Sequence, residues 1–241
     1  MKIEGKNPVR ELLKTDETIE KVMIMNGTTD AEVRKIQQIA RDKNIKVEFC
    51  DKRALDKLSE TGHHQGVIAL YTDFKYADLD EVISRTKNQG KDILFVILDE
   101  VLDPHNLGSV IRVAECAGAT GVIIPNRRSA SVNETVVRTS AGATAYMPVI
   151  KVNNLNQIIE KLKSQNIWIF ASDMDGETMY NTNLKGDIAL VIGGEGTGVR
   201  ELTKKLCDGV ISIPMFGNVN SLNASVSAGI VLYEAVRQRG K

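Results

Sequence analysis

The stretch Ile188–Val199, IALVIGGEGTGV, decides how the chain is read. Its first five residues are apolar without interruption, the pattern of a parallel strand covered on both faces. Four glycines follow within six positions, Gly193, Gly194, Gly196 and Gly198, spaced by Glu195 and Thr197. A phosphate loop is the obvious guess, but Walker A ends in Gly-Lys-Ser/Thr, and here Val199 and Arg200 follow Gly198. A dinucleotide fingerprint needs glycine where Glu201 stands. Glu195 would repel phosphate; it suits a cationic or hydroxyl-bearing ligand. Two readings stay open: glycines that merely turn the chain after a strand, or glycines that bring backbone amides close to a ligand.

Outward from this strand, similar runs recur at Ile93–Leu98 (ILFVIL), Gly121–Pro125, Tyr146–Ile150, Ile167–Ser172 and Gly209–Pro214. Helical segments separate most of them: Leu107–Ala117, Leu155–Ser164, Val199–Leu206 and Leu222–Arg237. The alternation predicts an α/β fold with a doubly wound, mostly parallel sheet, whose ligands bind outside the carboxyl ends of the strands. Nearer the N-terminus, strands at Lys21–Met25, Lys46–Cys50 and Gly66–Tyr71 and an amphipathic helix at Asp30–Lys43 predict a smaller α/β unit. The expected organisation is a domain over residues 1–71, a polar linker with one short helix over 72–91, and a second domain over 92–241.

Composition narrows the class without naming a partner. Lys plus Arg and Asp plus Glu number 31 each in 241 residues, which excludes a wholly basic, histone-like protein. A local basic patch still suffices for nucleic acid. Cys50, Cys116 and Cys207 are far apart, with no CxxC or Cys/His ligand spacing, so the expectation is buried reduced thiols, no disulfide and no metal. No apolar run approaches a membrane span, and MKIEGKNPVRELLK has no apolar leader core. A cytoplasmic protein is expected.

Two further segments carry polar residues at strand-to-helix junctions. In Asp99–Ile124, DEVLDPHNLGSVIRVAECAGATGVII, Pro104 and Asn106 mark a helix start, with Asn106 as the expected N-cap. Leu107, Val110, Ile111 and Ala114 form its buried stripe, and Arg112 falls off that stripe. In Ser212–Val236, SIPMFGNVNSLNASVSAGIVLYEAV, the residues Gly217, Asn218, Asn220, Ser221 and Asn223 lie between a strand and a helix. Ser221 or Asn223 can cap that helix, yet one cap needs one residue, so ligand contact is expected too. Ala224, Ala228 and Gly229 give the helix a small-residue face for close packing, within the fold or across a dimer interface. His63 and His64 read as turn residues rather than catalytic ones.

Taken together, Asp103–Ile123, Leu190–Val199 and Ile211–Ile230 resemble, in order and spacing, the three motifs of the SpoU (or TrmH) family of RNA ribose 2′-O-methyltransferases, part of the knotted SPOUT superfamily. The resemblance runs from about Ile93 to Arg239. Ile3–Leu13 (IEGKNPVRELL) and Thr61–Ala69 (TGHHQGVIA) look like the small RNA-binding domain of the family's ribosomal RNA branch. The resemblance implies a C-terminal trefoil knot, S-adenosylmethionine as cofactor, a homodimer, and 2′-O-methylation of large-subunit ribosomal RNA at a guanosine. It implies catalytic roles for Asn106, Arg112, Glu195, Ser221 and Asn223, and cofactor contacts from Gly193, Gly194, Ile213, Met215, Gly217 and Leu222. It makes Arg112 the general base; a guanidinium that stabilises the alkoxide fits the same place. A transfer RNA guanosine 2′-O-methyltransferase and a non-catalytic ribosome-assembly factor are the rival readings.

Overall fold

Period-two alternation and uninterrupted apolar runs sort the chain into two kinds of sheet. The computed structural model describes every residue except Asp16, Asp73, Thr197, Val219, Asn220 and Lys241. The chain divides between Lys75 and Tyr76.

In the first unit, β1 (Lys2–Glu4), α1 (Lys6–Leu12), β2 (Thr18–Met25), α2 (Ala31–Asp42), β3 (Lys46–Cys50), α3 (Lys52–Leu58) and β4 (Val67–Thr72) build a mixed sheet in the order β1-β4-β2-β3. Alternate residues serve opposite faces. Val22, Ile24, Val67 and Ala69 pack with Val9, Leu12, Val33 and Ile36, whereas Met23 and Ile68 pack with Leu55. Asp30 caps α2 by accepting the N–H groups of Glu32 and Val33. His64 is buried and structural: its Nδ1 accepts the Gly66 N–H at 2.9 Å, and its Nε2 lies 2.9 Å from Asp56 Oδ1. It holds the turn into β4, while His63 is exposed.

The second unit begins earlier than expected. Leu79–Asn88 is the one short helix expected in the linker (α4), capped by Asp78, but its Leu79, Val82 and Ile83 enter the core of the second unit. After it come β5 (Leu94–Asp99), α5 (Pro104–Cys116), β6 (Gly121–Pro125), α6 (Glu134–Thr139), β7 (Val149–Val152), α7 (Leu155–Ser164), β8 (Trp168–Thr178), β9 (Ile188–Gly193), α8 (Glu201–Leu206), β10 (Gly209–Ser212) and α9 (Ala224–Gln238). The strands lie in the order β10-β8-β9-β5-β6-β7, and every pairing is parallel. Phe95, Ile97, Ala189 and Val191 meet α4 and α7 on one face. On the other, α5 and α9 pack on each other and on the sheet.

Three local differences from the sequence reading have simple causes. Strand β7 starts at Val149, because Pro148 offers no N–H to a ladder. The cap of α5 is Asp103, which accepts the His105 N–H at 3.0 Å with Pro104 at the first helical position, so Asn106 is free for another task. Cys116 is exposed, and Cys50 and Cys207 are only partly covered. Burial, followed by the charge of Asp208, pushes the Cys207 thiol up to about 12. No helix among the described residues is long and apolar enough to cross a membrane.

Strand β8 runs past its expected end at Ser172 as far as Thr178. Its pairing with β10 jumps from Val210 opposite Ala171 to Ile211 opposite Glu177, so Ser172–Gly176 bulges out of the ladder. Gly176 passes so close to β10 that a Cβ there would lie 2.6 Å from the backbone of Val210 and Ile211. Gly176→Ala should therefore cost about 1–3 kcal/mol, as overpacking does. Urea unfolding checks it, and an unchanged midpoint would mean that the two strands part freely there.

Candidate active site

The carboxyl ends of β5, β8, β9 and β10 meet at one place, and the glycine turn after β9 forms its floor. The Gly194 N–H donates to the Asp99 carbonyl at 2.9 Å, and the Gly198 N–H donates back to the Gly194 carbonyl at 3.1 Å. A Cβ on Gly193 would lie 2.0 Å from the Gly198 carbonyl carbon, and one on Gly194 would lie 2.3 Å from the Glu100 oxygen. Only glycine fits either position. The Asp99 side chain, 0% exposed, takes the Arg200 Nε at 2.7 Å and the Arg200 backbone N–H at 3.2 Å. Asp99 thus grips both ends of the turn, its backbone at Gly194 and its carboxylate at Arg200.

Glu195, carried by that turn, joins the other two motifs. Its Oε1 accepts from Asn223 Nδ2 at 2.6 Å and from Asn106 Nδ2 at 3.0 Å. Asn223 Nδ2 also reaches Asn106 Oδ1 at 2.9 Å. At the same time Asn223 Oδ1 caps α9, accepting the N–H groups of Ser225 at 2.9 Å and Val226 at 3.3 Å. One amide side chain therefore starts the helix with its oxygen and holds a carboxylate with its nitrogen. Asn223 is thus the cap of α9 and a donor to Glu195 at once.

A cavity of about 690 Å³ opens beside this trio. Of the residues expected in the site, Gly193, Gly194, Glu195, Ile213, Met215, Ser221 and Leu222 line it. Asn106 and Asn223 stand behind Glu195. Gly217 is exposed and outside the lining, and Arg112 is an exposed residue of α5, also outside it. Thr197 and Asn220 lie outside the described residues. The sequence reading missed Asp173, Asp175 and Lys204, which line the cavity from the β8 bulge and from α8. Lys204 Nζ lies 2.5 Å from Glu201 Oε1 and 3.3 Å from Asp173 Oδ2, and those carboxylates, Glu201 first, raise its pKa. The available signal was positional: the polar DMDGE run follows a buried strand at the ligand-binding end of the sheet.

The small-residue face of α9 is used within the chain. Ala224 and Ala228 are buried, and a Cβ on Gly229 would meet Val113 of α5 at 3.5 Å. Val231, Leu232 and Ala235 are buried as well, and Val236 is partly covered. The large apolar residues that α9 leaves exposed are Val226 and Tyr233.

The sequence and the fold of this chain both have counterparts among known proteins. The profile of the SpoU rRNA methylase family matches residues 93–233, and that of the RNA 2′-O ribose methyltransferase substrate-binding domain matches residues 2–77. The chain belongs to the SpoU family. A putative TrmH family tRNA/rRNA methyltransferase, YacO of Bacillus subtilis (strain 168), is 39% identical over 237 residues, covering 98% of this chain and 94% of that protein. The crystal structure of the SpoU methyltransferase AviRb from Streptomyces viridochromogenes, in complex with AdoMet, superposes with a TM-score of 0.63 at 25% identity, covering 99% of this chain and 90% of that one. The A. aeolicus TrmH/SpoU tRNA modifying enzyme gives 0.58 at 27% identity, but covers only 66% of this chain and 85% of its own.

The double duty of Asn223 makes a testable contrast. Asn223→Ala removes a cap and should lower stability by about 1 kcal/mol. Asn223→Asp keeps the capping oxygen but sets a second carboxylate against Glu195. Its cost should be larger near pH 7 than near about pH 4, where carboxylates begin to protonate. Denaturant midpoints at the two pH values check this; equal costs would mean that the residue is a cap only.

Proposed function

We propose that this chain, an S-adenosylmethionine-dependent RNA methyltransferase, methylates a ribose 2′-hydroxyl of large-subunit ribosomal RNA at a guanosine. The observation that carries the reading is Glu195 held by Asn106 and Asn223 at the wall of a cavity made from the family's glycine turn. The cavity suits the cofactor in size, since small-molecule sites run from about 300 to 1,000 Å³. It also suits it in chemistry, offering glycine backbone, apolar Ile213 and Leu222, and carboxylates for a cation. When bound there, S-adenosylmethionine supplies a methyl group already activated on a sulfonium.

The protein's part is then position and charge. Glu195 keeps Oε2 for a ligand, because both amides bond to Oε1. Ser221 lines the same cavity. Arg112 acts from outside that wall: an exposed guanidinium keeps its charge, so it steadies the alkoxide while the proton passes to an RNA phosphate or water. A homodimer belongs to this reading. Phe216 is 98% exposed, and Leu222, Val226 and Tyr233 add apolar surface beside the site and along α9. An interface of that kind would let Arg112 and the cavity serve one ribose. A trefoil knot in the second unit belongs to this reading as well, as membership of the family implies.

Ribosomal RNA is favoured over transfer RNA by the first unit, residues 2–77, which matches a substrate-binding domain. The tRNA-modifying A. aeolicus enzyme corresponds to only 66% of the chain. Residence in the cytoplasm belongs to the same reading. Mapping 2′-O-methyls across ribosomal and transfer RNA, with and without the protein, tests the reading. A lost methyl in transfer RNA alone would overturn it.

Arg112→Ala should abolish transfer of a tritiated methyl to RNA while leaving cofactor affinity within a few-fold. Arg112→Lys should not rescue it, since an ammonium lacks the planar fork. Near-normal turnover by Arg112→Ala would remove Arg112 from the mechanism.

A further inference from the structure

The carboxylates around the cavity are not equivalent. Three of them line it, Asp173, Asp175 and Glu195, against one ammonium, Lys204. Lys204 is already satisfied by Asp173 and by Glu201. Glu195 receives two neutral amide donors on Oε1, which orient it without cancelling its charge. Asp175 sits on the β8 bulge, its side chain making no hydrogen bond or ion pair among the described residues, and it lines the same cavity. The wall therefore carries uncompensated negative charge, with Asp175 as its unpaired member. Such a wall repels RNA phosphates and attracts a cation.

We propose that Asp175 is a specificity residue of this cavity, favouring the charged methyl donor over its demethylated product. The inference rests on reading the cavity as the S-adenosylmethionine site. The donor carries a sulfonium, an ammonium and a carboxylate, and so one net positive charge. After methyl loss the sulfonium becomes a neutral thioether, and the product, S-adenosylhomocysteine, has no net charge. Both ligands share the adenosine and the amino-acid end. A carboxylate that acts through the field of the cavity separates them by the sulfonium charge alone. Donor capture and product release are then biased by the same side chain.

The test is equilibrium calorimetry of the full chain with each ligand separately, for the wild type, Asp175→Asn and, as control, Glu177→Gln. Glu177 is an exposed carboxylate of the same strand that does not line the cavity. Asp175 is exposed, and the isosteric amide leaves the bulge intact, which circular dichroism verifies. Asp175→Asn should weaken S-adenosylmethionine by about two- to fivefold, the range for exposed charge pairs, and S-adenosylhomocysteine by clearly less. The preference for the donor should shrink accordingly, and the difference should fade in high salt. Glu177→Gln should leave the preference unchanged. Equal weakening of both ligands, or no change in either, would overturn the role of Asp175 while leaving the cofactor reading in place. Failure of the wild type to bind either ligand would overturn both.

Discussion

The site hangs on a single carboxylate oxygen. Glu195 Oε1 is the one point at which residues 106, 195 and 223 meet, each from a different strand-to-helix junction. No junction is sufficient alone: α5 supplies a donor because Asp103 has taken over its cap, and α9 supplies one because amide chemistry offers an acceptor and a donor in one side chain. An aspartate or serine would cap α9 as well but could not also donate to Glu195 from a nitrogen. The residue type follows from two demands placed on one position.

Beneath that contact lies a second constraint, the buried Asp99. A fully covered carboxylate is costly unless it is paired and hydrogen-bonded, and Asp99 is both, through Arg200. Its fixed place at the end of a central strand gives the glycine turn a rigid anchor. The tight turn excludes any side chain at Gly193 and Gly194, and that exclusion presents bare backbone to the cavity.

Much of this was legible in the sequence. Uninterrupted apolar runs such as ILFVIL and IALVI announced buried parallel strands, and the helices between them followed. What stayed hidden had physical reasons. The stripe of α4, Leu79, Val82 and Ile83, is diluted by charged neighbours, so a helix of the core read as a short helix within a linker. Asn106 resembled a cap because Asp103 and Pro104 supply the same signature three residues earlier, and its true partner lies 89 positions away. Asp173 and Asp175 escaped because a bulge breaks the two-residue period by which strands are recognised. The roles of Arg112 and Gly217 came from resemblance, and the cavity wall includes neither.

The C-terminal end of α9 closes the second unit over a long loop of chain. Arg239 Nη2 donates to the Ile93 carbonyl across 146 residues, at the point where β5 begins. Strand β5 itself must wait for β9 to pair along its whole length. The first unit, by contrast, completes its sheet within its first 72 residues. Contacts of wide sequence separation form slowly, because the chain between them must first be ordered. During synthesis the first unit therefore has its structure in hand long before the cavity exists. The order of assembly runs from the part that matches a substrate-binding domain to the part that performs the chemistry.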